Sequence, residues 1–118
     1  MHNIKELKIW HKAIDLAVVI YDVTALFPQE EKYGLITQMR RCSVSISSNI
    51  SEGAGRNTKG EFVQFLGVAN GSTYELQTQV VIAKRLEFIE SDTAAVLLDK
   101  LDELQKMIYK LQHKIKGG

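Results

Sequence analysis

The side chains with most chemical potential fall in one row: Gln38, Arg41, Ser45, Ser48 and Glu52 recur at intervals of three and four residues. That spacing stacks side chains on one face of an α-helix. Asn49 borders the row, and Ser72, Glu75 and Gln79 repeat its rhythm further along the chain. Facing each other, the two rows would set Arg41 opposite Glu75 among hydroxyl and amide groups. Such a set can line a binding cleft, or it can form a polar network that fixes helix register or joins subunits. The second is the simpler reading, because no His lies near Arg40, Arg41 or Arg56 in sequence to serve as a base beside a phosphate-binding cation. A solvated helix face would carry the same pattern.

Positive charge gathers in three places. Lys5, Lys8 and Lys12 share one face of the first segment, Arg40, Arg41, Arg56 and Lys59 surround the second, and Lys106, Lys110 and Lys114 align opposite the leucines of the last. Lys5, Lys8, Lys12, Arg40, Arg56 and Lys59 are the candidate contacts for nucleic-acid phosphates. The last set follows Asp99 and Glu103 by one or two turns, as on a solvated helix face whose cations favour the C-terminus.

His2, His11 and His113 have no second ligand at helical spacing, so no metal is expected. No nucleophile elbow, phosphate-binding glycine loop or paired carboxylate motif is present, and no catalytic residue or cofactor is assigned. Cys42 is the single cysteine. It cannot close an intramolecular disulfide, and beside Met39 and Ile46 it reads as a small buried thiol, which suits a reducing cytoplasm.

The elements that position these groups follow from the apolar spacing. The chain has 118 residues, 45% hydrophobic and 25% charged, the size and balance of one domain spanning 1–118. Its formal net charge of +1 does not by itself call for a nucleic acid or an anionic membrane. The apolar run over residues 16–20 is too short to cross a bilayer.

Leu7, Trp10, Ile14, Ala17 and Tyr21 form one helical row, and Ile9, Ala13, Leu16, Ile20 and Phe27 form a second beside it. Together they exceed what one helix needs to face its own core, so part of the sector is expected to meet another chain. Phe27-Pro28 ends this helix and starts the next, with Glu30 and Glu31 in its first turn.

The second helix runs to about Gly53 with Leu35, Met39, Cys42, Ile46 and Asn49 inward, and Gly53-Ala54-Gly55 stops it. Thr58 and Glu61 have capping-box spacing, which opens a third helix near Lys59. Its inner row is Phe62, Phe65, Ala69, Leu76, Val80 and Ala83, and Gly67 and Gly71 within it predict close helix contact. Ser91-Asp92-Thr93 starts a fourth helix with Leu97, Leu101, Leu104, Ile108, Leu111 and Ile115 inward. Short connections predict an all-α, antiparallel, up-and-down four-helix bundle.

Several stretches, taken together, resemble the 23S rRNA intervening-sequence protein family, a relative of the accessory proteins of diversity-generating retroelements. They are LKIWHKA at residues 7–13, Phe27-Pro28 with Glu31, Tyr33 and Leu35, QMRR at 38–41, SISSNISEG at 45–53 and GSTYEL at 71–76. The resemblance implies a helical bundle assembling into a ring-like homopentamer. For the retroelement branch it also implies contacts to nucleic acid and a reverse transcriptase. The resulting expectation is a non-enzymatic oligomeric scaffold that binds itself and a protein partner. The alternative is an accessory protein that holds RNA or DNA through basic patches repeated around the ring.

Overall fold

The computed structural model describes residues 3–117. A short 3₁₀ turn, Ile4–Glu6, precedes α1 (Lys8–Thr24); a second, Gln29–Glu31, precedes α2 (Leu35–Ala54); α3 (Lys59–Arg85) and α4 (Ser91–Gly117) complete the chain. No strand occurs among the described residues. Successive helices pack side by side, and α4 closes only thinly against α1. The particle measures 45 × 23 × 20 Å, close to the length of the 27-residue helices α3 and α4 at about 1.5 Å per residue.

The packing is antiparallel throughout. Gly53 near the end of α2 meets Phe62 and Phe65 at the start of α3, whereas Cys42 reaches Ser72. Gln112 of α4 donates to the Val63 carbonyl of α3 at 3.1 Å, and Lys12 of α1 pairs with Glu103 of α4 at 3.0 Å. One end of the bundle therefore holds the α2–α3 turn, the start of α1 and the last turns of α4. The other holds the two remaining loops, joined through the Phe27 and Phe88 rings at 5.4 Å.

Of the two apolar rows of α1, the one containing Ile9, Ala13, Leu16 and Ile20 enters the core and continues to Thr24 and Phe27. Leu7, Trp10, Ile14 and Ala17 are half-buried along its flank, and Tyr21 is exposed. The helix also stops earlier than Phe27-Pro28 predicts, at Thr24, whose hydroxyl donates to the Ile20 carbonyl at 2.7 Å. Glu30 and Glu31 lie in the 3₁₀ turn rather than in α2, and Glu31 reaches forward to accept the Leu35 N–H at 3.3 Å.

The inner rows of α2, α3 and α4 follow their spacing, with local shifts. Asn49, Phe65 and Leu111 are half-buried, while Ile50, Leu66 and Thr73 fill the corresponding inner positions. The capping box is half formed: the Thr58 hydroxyl accepts the Glu61 N–H at 3.1 Å, but the Glu61 carboxylate takes the Thr58 hydroxyl proton instead of a backbone N–H.

The glycine contact falls elsewhere than the spacing predicts. Gly67 and Gly71 are exposed, and a Cβ on Gly71 would meet nothing within 4 Å. Gly53 is the close approach: a Cβ there would lie 2.7 Å from the Phe65 Cβ and 3.3 Å from the Phe62 carbonyl oxygen.

At the other end, α3 closes with Glu87 at φ 62°, while the Phe88 N–H bonds back to the Ala83 carbonyl and the Glu87 N–H to the Lys84 carbonyl. This is a Schellman ending with a non-glycine in the left-handed position. Two substitutions should therefore move stability in opposite directions. Gly53→Ala forces a methyl group against the Phe65 Cβ and the Phe62 ring and carbonyl and should cost about 1–3 kcal/mol. Glu87→Gly relieves the left-handed strain and should add about 1 kcal/mol. Urea melts of the two variants check both signs.

Candidate functional site

The polar row of α2 is an outer face. Gln38, Arg41, Ser48 and Glu52 are exposed, and Ser45 and Asn49 form its inner edge toward α3. Hydrogen bonds concentrate at that edge. The Asn49 amide donates to the Ser45 carbonyl at 2.8 Å and to its hydroxyl at 3.0 Å, and the Ser45 and Ser72 hydroxyls share a hydrogen bond at 3.0 Å. The Cys42 thiol donates to the Ser72 carbonyl at 3.0 Å. A shallow groove runs above these bonds, lined by Gln38, Arg41, Cys42, Ser45, Ser72 and Glu75.

Of the predicted network, hydrogen bonds join Ser45, Asn49 and Ser72, and Gln38, Arg41 and Glu75 line the groove beside them, whereas Glu52 pairs with Arg56, and Arg41 and Glu75 form no ion pair across the groove. Both side chains lie on exposed flanks, where water solvates charge better than a strained surface pair would. Gln79 departs from the row by turning inward; it is buried, and its Oε1 has no hydrogen-bond partner.

The candidate phosphate contacts divide by what already holds them. Arg40 is a structural tie: its Nε donates to Thr24 Oγ1 at 2.9 Å and its Nη2 to the Tyr21 carbonyl at 3.2 Å, and its guanidinium lies 4.7 Å from the Tyr21 ring centre. It caps the end of α1 from α2. Arg56 is held by Glu52 at 2.9 Å and Glu61 at 3.7 Å, over the Phe65 ring at 4.9 Å. That clamp closes the α2–α3 turn. Lys12 is half-buried against Glu103. Only Lys5, Lys8 and Lys59 of the six are exposed without an ion pair.

A basic region that separate sequence patches conceal appears once the helices are assembled. Lys5, Lys8 and Lys59 share their end of the bundle with Lys110, Lys114 and Lys116 of α4, because Gln112 packs beside Val63. The opposite end carries Asp22, Glu30, Glu31, Glu87, Glu90 and Asp92 against Lys32, Lys84 and Arg85. Glu6, Glu52 and Glu61 also lie at the lysine-rich end and offset part of its charge, and the whole chain carries a formal net charge of +1.

Among the described residues no cluster of His, Cys, Asp and Glu is placed to hold a metal ion, and no helix is long and apolar enough to cross a membrane. His2 lies outside the described residues. His11 Nε2 donates to the Lys5 carbonyl at 2.7 Å, and the His113 ring packs on Tyr109 at 4.1 Å.

Burial, with the Glu75 carboxylate nearby, pushes the Cys42 thiol up to about 12 from its ordinary 9.0. The thiol is therefore protonated at neutral pH and a poor nucleophile. A raised thiol pKa contributes stability that is fully present below the unfolded value and lost as pH rises through the window from 9.0 to about 12. Cys42→Ala should remove part of that alkaline loss, read as a shallower fall of Tm above pH 9.0.

Comparison with known proteins adds the lineage. A crystal structure described as a protein of unknown function from the S23 ribosomal protein family of Bacteroides thetaiotaomicron VPI-5482 superimposes with a TM-score of 0.82. The match covers 89% of this chain and 95% of that one at 20% identity, a likeness of fold. No curated protein matches the sequence. The family model of the 23S rRNA-intervening sequence protein matches residues 5–110, across all four helices. With its bundle and nearly its whole length accounted for by that match, the chain belongs to the 23S rRNA-intervening sequence protein family.

Proposed function

We propose that this chain is a non-enzymatic interaction module of the cytoplasm that works as a closed homo-oligomer. The observation that carries the reading is the unspent apolar surface of α1. Its inner row already fills the core, yet Ile14 and Ala17 remain half-exposed, and Val18 and Tyr21 stand 56% and 44% exposed. A helix needs one apolar stripe to fold into a bundle. A second stripe left outside suits a contact between copies, and closed rings are the ordinary way to satisfy such surfaces without filaments. The family resemblance favours five copies.

Light scattering at micromolar concentration tests this directly. The wild-type chain of 13.3 kDa should elute at a fixed multiple of that mass. Val18→Glu places a charge on an exposed position, so helix content should hold while the assembly dissociates. A monomeric wild type contradicts the reading, whereas a closed oligomer of another size corrects only the number.

The basic end supports a second reading, an accessory protein that holds nucleic-acid phosphates, in keeping with the suggested kinship to retroelement accessory proteins. Repetition around a ring would multiply the modest field of one chain. Binding of this kind weakens steeply with salt, and a Lys5, Lys8, Lys59→Glu variant should bind more weakly with a flatter salt dependence. Gel shifts at low and near-physiological salt check it, and unchanged binding by the variant contradicts this choice of surface.

A further inference from the structure

The groove between the outer faces of α3 and α4 takes no part in the polar network or the α1 surface. Asn70 and Tyr74 line one wall, Asp102, Gln105, Lys106 and Tyr109 the other, and Lys110 stands at the rim. Tyr74 and Tyr109 are 54% and 57% exposed, unusual for two aromatic side chains sharing one groove. Their rings are not in contact with each other. Tyr109 is held by the His113 ring at 4.1 Å, whereas Tyr74 has no ring partner.

Gly67 and Gly71, which the spacing assigned to a close helix contact, lie on the exposed side of α3 near this groove without crowding it. Gly71 lies one turn from Tyr74 on the same helix, and a Cβ there would project into empty space; one on Gly67 would approach only the Gln112 amide, at 3.5 Å. The polar groups are partly committed in a way that leaves functional atoms over. Gln105 Nε2 donates to Gln77 Oε1 at 2.8 Å, which frees the Gln105 carbonyl oxygen, and Asn70 accepts from Thr73 at 3.2 Å, which frees its amide protons. Lys106 is neutralised by Asp102 at 3.0 Å, but Lys110 and, one turn on, Lys114 form no ion pair. They lead toward the basic end.

We propose that this groove is a base-stacking site for single-stranded nucleic acid, with Tyr74 and Tyr109 as stacking faces, Asn70 and Gln105 at the base edges, and Lys110 and Lys114 on the backbone phosphates. The proposal rests on the nucleic-acid reading above and narrows it. Flat exposed aromatic rings beside a cationic rim are the pattern that accepts unpaired bases without sequence readout. A duplex keeps its bases stacked on each other and offers these rings nothing. Charge complementarity selects this occupant over an apolar peptide, since the uncommitted charges at the rim are lysines.

The experiment is fluorescence anisotropy with labelled short oligouridylate, oligothymidylate and a duplex of equal length, at low salt. Wild type should prefer the single strands. Tyr74→Ala and Tyr109→Ala should each weaken single-strand binding by about tenfold, with duplex binding unchanged, while Tyr74→Phe and Tyr109→Phe retain affinity because the ring rather than the hydroxyl stacks. Both tyrosines are surface residues, and circular dichroism with light scattering confirms that fold and oligomer size are kept.

If the wild type binds single strands and the alanine variants bind them equally well, the groove is overturned while the basic-end reading stands. If the wild type prefers duplex, stacking is overturned. If no nucleic acid binds, both readings fall together. A change of oligomer size in the alanine variants would reassign the groove to a subunit contact and overturn the proposal.

Discussion

The arrangement depends on one close approach, the backbone of Gly53 lying against Phe62 and Phe65. No side chain larger than hydrogen fits there. The contact brings the end of α2 against the beginning of α3 immediately after a turn of four residues, and it fixes the angle at which the two helices part. From that point the α2–α3 seam runs antiparallel through Asn49, Ser45, Cys42 and Ser72, whose hydrogen bonds set the axial register. Apolar burial supplies most of the stabilisation, at roughly 1.5–3 kcal/mol for each fully buried large side chain, but it is non-directional. The glycine contact and the polar seam give it a direction.

Everything chemically interesting is then displaced outward from that frame. Because the inner edge of the polar row is spent on the seam, its charged members Arg41 and Glu75 face solvent. Because Arg56 clamps the turn and Arg40 caps α1, two of the cations that a phosphate might use serve the fold instead. What the frame leaves uncommitted is a lysine-rich end, an apolar flank on α1, and an aromatic groove between α3 and α4. These are features of recognition surfaces. The protonated Cys42 thiol, buried under the polar α2–α3 groove, adds no reactivity to them.

Much of the fold was legible because amphipathic spacing is a local property. The leucine row of α4 needed only the rule that three- and four-residue intervals share a face. The same rule could not choose between the two rows of α1, since both have helical spacing and only the positions of α2 and α4 decide which turns inward. It assigned Gly67 and Gly71 to a close contact, although the glycine that required one was Gly53, which read equally well as a helix stop. Glu87 gave no signal at all: a left-handed ending is normally announced by glycine or asparagine, and here tertiary packing of Phe88 holds an ordinary residue in that conformation. The candidate site was less legible still. Lys5, Lys59 and Lys114 are far apart in the chain and become neighbours only through the bundle, and Tyr74 and Tyr109 lie on different helices.

The α2–α3 pair is the frame on which the rest of the bundle is mounted. Amide hydrogen exchange measures this residue by residue, because protection follows the free energy of local opening. The slowest amides should be those flanking Gly53 and Ser72, within α2 and α3, with α1 exchanging earlier because it closes only thinly against α4. Exchange at the α2–α3 seam preceding exchange in α1 would contradict a frame built from α2 and α3.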